Sequence, residues 1–261
     1  MNRHHTNTSE TAAHKASRIT KREKSVTSKK LEEIDRLRKR VRAMETAGPT
    51  AVAKHGSGST HTVSAPSPGT GPVCRDVLDA FKGTLYTCEE DRDLPEAMSG
   101  ELGRDIAAMV LRNTDTELSS DLKGSILRST DERKAQLQTL EGALEAEQES
   151  VRETIELVES LEDSNLYTGS SIGVGFDDLR ERYRTLTDLR ERCEDRIQRR
   201  QRTLSKTTKQ AATAGLRQMS LVEFLYEELE ADYPVLSTLT ETVRICERKR
   251  DNVSRYICRV M

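Results

Sequence analysis

Histidine, the residue that most often acts as a general base or metal ligand, is confined to one end of this chain. All five histidines lie in the first 61 residues, at His4, His5, His14, His55 and His61. The rest of the chain therefore lacks the usual partner of an activated nucleophile. It also lacks the Glu-x-x-His pairs of a di-iron helical bundle. We expect no catalytic residue, no metal site and no cofactor, and we predict that the protein is not an enzyme.

Cysteine is the next candidate for chemistry. The five cysteines are Cys74, Cys88, Cys193, Cys246 and Cys258, an odd number without a CxxC motif. Arginines at 190, 192 and 196 surround Cys193 and would lower the pKa of its thiol if it were accessible. Most of these cysteines fall on apolar helix stripes, so we interpret them as small buried residues in a reducing compartment.

Two further patterns are more typical of structure than of catalysis. The segment Ile172–Phe176 contains a single GxG, but no strand precedes it and no GK[ST] follows, so we interpret it as a turn between helices. Carboxylates are dense in one predicted helix, at Glu145, Glu147, Glu149, Glu153 and Glu156. A catalytic acid pair needs burial to raise one pKa, whereas Gln, Arg and Ser around these residues indicate a solvated face.

A run of basic residues near the start is the best candidate for binding phosphate. Residues 1–46 contain 13 Lys or Arg and 6 Asp or Glu, whereas residues 73–261 contain 28 basic and 38 acidic residues. The candidate contacts are Lys21, Arg22, Lys24, Lys29, Lys30, Arg36, Arg38, Lys39, Arg40 and Arg42. No aromatic residues interleave with them, so any nucleic-acid binding would depend on phosphate and would weaken with salt. The same segment could instead fold back on the acidic body or stay solvated.

Composition favours long charged helices over a thick layered core. Hydrophobic residues make up 34% of the 261 residues and charged residues 33%, against about 45–50% and 25% in ordinary globular domains. We find no apolar run long enough for a membrane helix and no signal-peptide pattern. We therefore predict a cytoplasmic protein that does not enter a membrane.

Heptad spacing predicts two long helices, near 120–163 and from 176 past 204. Apolar residues recur every seven positions in each, but Glu147 and Thr154 interrupt the first seam and Arg190 and Arg200 the second. We expect the helices to pack as an antiparallel coiled-coil hairpin, with opposite charges across it fixing the register. Because the seams are half polar, a homodimer is also expected.

The complete prediction is all-α: an elongated helical bundle built on this hairpin, preceded by a disordered N-terminal arm. Its parts are a disordered basic tail (1–27), a short basic amphipathic helix (28–47), a Gly/Ser/Pro linker (48–72) and a helical body (73–261). Within the body, single helices are predicted near 73–89 and 93–113. Further helices start after the capping box at Ser220–Glu223 and at Pro234, where the chain either kinks or breaks.

Three stretches resemble a known family. They are DLPEAMSGELGRDIAAMV (93–110), FDDLRERYRTLTDLRERCEDRI (176–197) and SLVEFLYEELEADYPVLSTL (220–239), of which residues 223–236 are the most specific. Their order resembles an uncharacterised family of haloarchaeal coiled-coil proteins, a domain of unknown function. The resemblance covers 73–261 and not 1–72. It implies no catalytic or binding residue, and the net charge of −2 is less acidic than that family suggests.

The functional prediction is a non-enzymatic scaffold or adaptor that binds a protein partner or itself through helical surfaces. The candidate surfaces are the hairpin tip at 167–176 and the basic helix at 28–47. The alternative is a nucleic-acid-associated protein that uses the basic arm.

Overall fold

Helices account for nearly all of the secondary structure in the part of the chain that can be described. The computed structural model describes residues 10–46, 73–88, 92–163, 175–213 and 221–260, and their side chains except at 205–213 and 259–260. The helices are α1 (Ala12–Ala43), α2 (Cys74–Lys82), a 3₁₀ helix (Leu85–Cys88), α3 (Leu94–Leu102), α4 (Arg104–Arg112), α5 (Ser120–Asp163), α6 (Phe176–Thr213), α7 (Leu221–Tyr226) and α8 (Pro234–Val260). These ranges contain no strand, only an isolated bridge between Val73 and Glu117. The all-α prediction is confirmed.

Helix α1 begins much earlier than the sequence suggested. We predicted disorder over 1–27 and a helix from 28, but residues 12–27 are helical, so that prediction is wrong for them. Residues 1–9 and the predicted linker at 48–72 lie outside the described residues. The polar segment folds because its inward positions are small: Ala13 and Ala16 are fully buried, as is Thr20, whose hydroxyl is satisfied by the carbonyl of Ala16. Small residues at these positions pack into a narrow seam between helices, but they do not produce a clear hydrophobic pattern in the sequence.

Two of the predicted single helices are broken at glycines. The segment predicted over 73–89 divides at Gly83, after which the chain tightens into the 3₁₀ helix. The segment predicted over 93–113 divides at Gly103, whose φ of +92° lies in a region that L side chains avoid. At the start of α3, the side chain of Asp93 accepts a hydrogen bond from the amide of Glu96 at 2.9 Å, as the predicted cap requires.

The chain divides into two compact units. Unit 1 comprises the described parts of residues 1–25 and 139–261, and unit 2 comprises those of 26–138. Because α1 and α5 each contribute to both units, the predicted boundary between an arm and a body does not describe this arrangement.

Unit 1 is a helical bundle with its own core. Its walls are the first part of α1, the second part of α5, α6 and α8, and α7 covers the core. The core includes Ala16, Leu144, Leu186, Tyr226 and Leu239. The amide of Ala13 donates to the hydroxyl of Thr238 at 3.1 Å, which ties α1 to α8.

The contacts inside unit 1 differ from the predicted hairpin. Ion pairs place α5 and α6 side by side in opposite directions, Glu147 with Arg200 and Glu153 with Arg196. However, α6 packs most closely against α8, not against α5. The α5–α6 pair is therefore one face of a bundle, and the predicted hairpin tip at 167–176 lies outside the described residues except for its last two positions.

Unit 2 has a separate core. It is formed by the second part of α1, by α2, α3 and α4, and by the first part of α5. Phe81, Leu85, Met98 and Leu102 are among its fully buried large side chains. Two ion pairs show that α1 and α5 run in opposite directions here: Lys134 reaches Asp35 at 2.7 Å, and Arg38 pairs with Asp131.

No helix among the described residues is both long and apolar enough to cross a membrane.

Candidate functional site

Buried charged and polar residues of unit 1 form a cluster, which we call the Glu147 cluster and define as Glu147, Arg200, Tyr226 and Thr20. Glu147 and Arg200 are 3% and 4% exposed. Two nitrogens of the Arg200 guanidinium donate to the two carboxylate oxygens of Glu147, at 2.6 and 2.8 Å. This paired geometry is the strongest form of contact between Arg and a carboxylate.

Tyr226 completes the Glu147 cluster from α7. Its hydroxyl donates to Oε1 of Glu147 at 2.8 Å and lies 3.4 Å from the hydroxyl of Thr20. Burial, followed by the adjacent charge of Glu147, raises the pKa of the Tyr226 phenol far above its usual value. The phenol is therefore a fixed hydrogen-bond donor, and the cluster links α1, α5, α6 and α7.

Sequence reasoning found half of this cluster. The prediction that opposite charges pair across α5 and α6 is confirmed by Glu147 and Arg200, whereas Arg190 pairs with Glu194 on its own helix at 2.6 Å. The prediction that Glu147 lies on a solvated face is wrong, although Glu145, Glu149 and Glu156 are exposed as expected. The available signal was the seven-residue spacing of Glu147 from Leu140, which is partly buried, and from Thr154, which is fully buried.

Tyr226 was missed as a member of the cluster. The sequence placed it in the most specific stretch of the family resemblance, but nothing in a single sequence indicates that its hydroxyl reaches α5. The contact spans 79 positions of the chain.

A second buried carboxylate lies in unit 2 and forms the Glu101 cluster, defined as Glu101, Lys30 and Arg133. Arg133 donates to both oxygens of Glu101, at 2.8 and 3.3 Å, and Lys30 donates at 3.0 Å. Burial alone would raise the pKa of Glu101, but the hydrogen bonds and charges of Arg133 and Lys30 outweigh it and lower the pKa. Beside the cluster a cavity of about 440 Å³ is lined by residues 99–106 and by part of α5.

The ten predicted phosphate contacts do not form one free basic surface. Five are engaged within their own unit: Lys24 with Glu145, Lys29 with the carbonyl of Thr87, Lys30 with Glu101, Arg36 with Glu33 and Arg38 with Asp131. The guanidinium of Arg40 lies against Gly83. The other four, Lys21, Arg22, Lys39 and Arg42, have exposed side chains without an acidic partner among the described residues.

The cysteine interpretation fits the structure at three positions. Cys74, Cys193 and Cys246 are buried, Cys88 is half-buried, and Cys258 is exposed. Burial raises the pKa of the Cys193 thiol to about 12, and the nearby Cys246 adds to the effect. The arginines around Cys193 therefore do not activate it. In the described ranges no group of three His, Cys, Asp or Glu residues is arranged to hold a metal ion.

A family comparison agrees with α1 being part of the domain. One family model, described as a domain of unknown function, DUF7260, matches residues 11–250. The chain belongs to the DUF7260 family. This corrects our expectation that the family resemblance starts at residue 73, because the DUF7260 match begins one residue before α1. No curated protein and no solved structure matches this DUF7260 chain.

Proposed function

We propose that this DUF7260 protein is a non-enzymatic, cytoplasmic helical interaction protein, a scaffold or adaptor whose bundle presents coiled-coil-like surfaces to a protein partner. The observation that carries the proposal is the use of the two most deeply buried carboxylates among the described residues, each 3% exposed. Glu147 and Glu101 each accept hydrogen bonds from other helices of the same unit, and this use of both carboxylates to join helices supports a structural role.

The chemistry of these clusters supports a structural role. A general base needs a free lone pair within reach of a substrate proton. Both oxygens of Glu147 accept from Arg200, one also accepts from Tyr226, and the residue is only 3% exposed, so a substrate proton has little access to this carboxylate. Buried pairs of this kind are best known for fixing the register of helices, and a fixed register is what a scaffold requires.

A homodimer remains a proposal, but one of its reasons has changed. The half-polar seams of α5 and α6 suggested that a second copy completes them. In unit 1, Arg200 from the same chain satisfies Glu147, and the hydroxyl of Thr154 donates to the carbonyl of Ser150 at 2.9 Å. A dimer would therefore form through outer surfaces and not through these seams.

The resemblance to haloarchaeal sequences supports a further proposal, that the protein works at high salt. Residues 73–261 carry ten more acidic than basic residues, and their mutual repulsion is screened at molar salt, where the Debye length is about 3 Å. We expect the melting temperature of the full chain to rise between low and molar KCl. A melting temperature that falls over the same range would contradict this proposal.

Purification of the tagged full chain from its native cells tests the interaction function. We expect a protein to co-purify that, when produced separately, forms a complex of fixed stoichiometry with the chain in analytical ultracentrifugation. A chain that sediments alone with every co-purified candidate, and that turns over a substrate in an activity screen, would overturn the proposal.

The alternative is a nucleic-acid-associated protein, and one observation favours it. Lys21, Arg22, Lys39 and Arg42 are exposed on α1 without an acidic partner among the described residues. Deleting α1 would not test this idea, because α1 contributes Ala16 and Ile34 to the two cores. A variant with these four cations changed to Gln is the better test.

The four-Gln variant should bind duplex DNA more weakly than the wild type, and the slope of log K against log salt should fall by about 0.9 for each phosphate that the variant no longer neutralises. A matched control changes four exposed arginines elsewhere, Arg104, Arg112, Arg244 and Arg255, to Gln. Equal weakening in both variants would mean that binding is nonspecific charge attraction and would reject the α1 site.

A further inference from the structure

The short helix α7 turns a large aromatic side chain outward. Leu221, Val222, Leu225 and Tyr226 of α7 are buried, whereas Phe224 is 51% exposed, the largest value among the exposed large hydrophobic side chains described. A phenylalanine in this position contributes little to the core of unit 1. Exposed aromatic residues on an ordered surface are typical anchors of protein interfaces.

The support beneath Phe224 is rigid. Tyr226, two residues further along α7, is fully buried and donates to Glu147, which Arg200 holds in turn. The Glu147 cluster therefore fixes α7 on the bundle. A side chain held in advance loses little conformational entropy when a partner binds it.

A shallow hollow lies next to α7 at the start of α8. It has a volume of about 480 Å³, and Tyr233, Leu236 and Thr240 are among its lining residues. The hydroxyl of Tyr233 donates at 2.8 Å to Glu223, the neighbour of Phe224. This bond brings the half-exposed Tyr233 and its hollow to the α7 surface.

The charge around these aromatic residues is mostly negative, and Arg244, a cation that lines the hollow, pairs with Glu241 at 3.7 Å. The segment 221–241 contains six acidic residues and no Lys, Arg or His. Four of the acids surround the turn between α7 and α8 and are exposed: Glu227, Glu228, Glu230 and Asp232. An apolar anchor inside a rim of negative charge favours a partner with apolar residues and positive charge.

We propose that the α7–α8 surface, defined as Phe224, Tyr233, Leu236 and this acidic rim, is a docking site for a Lys- or Arg-rich amphipathic segment of another protein. The apolar face of the segment covers Phe224 and enters the hollow at Leu236, while its cations contact the rim. This inference rests on the proposed interaction function and names the surface and the chemistry of the partner.

Peptide binding to the full chain tests the site. The probe is a fluorescently labelled amphipathic helix of leucine and lysine, and its counterpart of leucine and glutamate is the charge control. Fluorescence anisotropy should show saturable binding of the lysine peptide alone. Phe224→Ala should weaken that binding about tenfold or more, as loss of an interface anchor does.

Matched variants separate this site from general charge attraction. Phe176→Ala removes another exposed phenylalanine, at the start of α6, where Phe176 is 41% exposed and is followed by two aspartates. This control should leave the affinity for the lysine peptide unchanged. A variant with Glu227, Glu228 and Glu230 changed to Gln should bind the lysine peptide more weakly and with a smaller dependence on salt. The control variant changes three exposed glutamates elsewhere, Glu96, Glu117 and Glu132, to Gln and should show a smaller effect on both quantities. Circular dichroism and thermal melting of each variant check that it is folded.

Each other outcome overturns the inference. Equal binding by wild type, Phe224→Ala and Phe176→Ala would mean that the lysine peptide does not use this surface. A dimer in sedimentation that Phe224→Ala disrupts would identify a second copy as the occupant. If the peptide result fails while the chain still forms a stoichiometric complex with its native partner, the docking site is wrong and the interaction function stands. If both fail, both proposals fall.

Discussion

Replacing Glu147 by leucine should destabilise the protein much more than replacing both members of its ion pair. The single change leaves the Arg200 guanidinium 4% exposed with no carboxylate to neutralise it. Breaking a buried pair in this way costs about 3–5 kcal/mol. In a domain of this size that corresponds to a fall in melting temperature of about 6–20 °C.

The double variant Glu147→Leu with Arg200→Met removes both charges and keeps most of the side-chain volume. Such replacements are often neutral or stabilising. The Tyr226 hydroxyl then loses its acceptor at 2.8 Å and keeps only the longer contact to Thr20 at 3.4 Å, an unsatisfied group that costs about 1–3 kcal/mol. We therefore expect the double variant to be intermediate, and the addition of Tyr226→Phe to restore wild-type stability.

Urea unfolding followed by circular dichroism measures five proteins: the wild type, the single variants Glu147→Leu and Arg200→Met, the double variant and the triple variant. The slope of the free energy of unfolding against urea checks that the surface exposed on unfolding is unchanged. We expect the double variant to lose several kcal/mol less unfolding free energy than the sum of the losses in the two single variants. If Glu147→Leu lies within about 1 kcal/mol of the wild type, or if the two single losses simply add in the double variant, the pair does not hold the bundle as we describe.

Three further changes test other parts of the structure. Glu101→Gln leaves Lys30 and Arg133 without their shared carboxylate and should cost about 3 kcal/mol at neutral pH. Because the folded protein lowers the pKa of Glu101, this difference in unfolding free energy should be complete above the ordinary pKa of about 4.3 and should shrink as the pH falls below it. Gly103→Ala should cost about 1–2 kcal/mol, because the φ of +92° at this position is unfavourable for a side chain. Gly142→Ala in the middle of α5 should instead stabilise the protein by about 0.5–1 kcal/mol, because an added Cβ has no atom within 4 Å apart from its own neighbours in the helix. Thermal melting of both variants compares the two effects. A thiol reagent should modify exposed Cys258 rapidly and buried Cys193 only on unfolding, and fast reaction of Cys193 would contradict its place in the core.

The helices that sequence reasoning placed best have strong local signals. The predicted bounds near 120 and 163 match α5, whose second half shows seven-residue spacing of apolar residues, and Pro234 gave the first residue of α8. The Asp93 cap placed the start of α3 to within a residue. These features depend on neighbours within one or two turns, so a single sequence contains them.

The features that sequence reasoning missed have two physical causes. Alanine and threonine occupy seam positions of α1, and hydrophobic spacing undervalues them although Ala13, Thr20 and Thr27 are buried. A threonine can take such a position because its hydroxyl is satisfied by the carbonyl one turn earlier on its own helix. Which helices then pack together is decided by contacts between distant segments, such as Tyr226 with Glu147, and spacing along the chain does not encode them.

Unit 1 is built from two segments that are far apart in the sequence, 1–25 and 139–261, and this has a consequence during translation. The amide of Ala13 meets its partner Thr238 only after a further 225 residues have been added. At a translation rate of about 5–20 residues per second, α1 is synthesised on the order of 10–50 s before its partner on α8. Everything needed for unit 2 emerges earlier. Nascent chains stalled before α8 should therefore expose the seam around Ala13 to chaperones and proteases, and a message truncated there should yield little lasting protein.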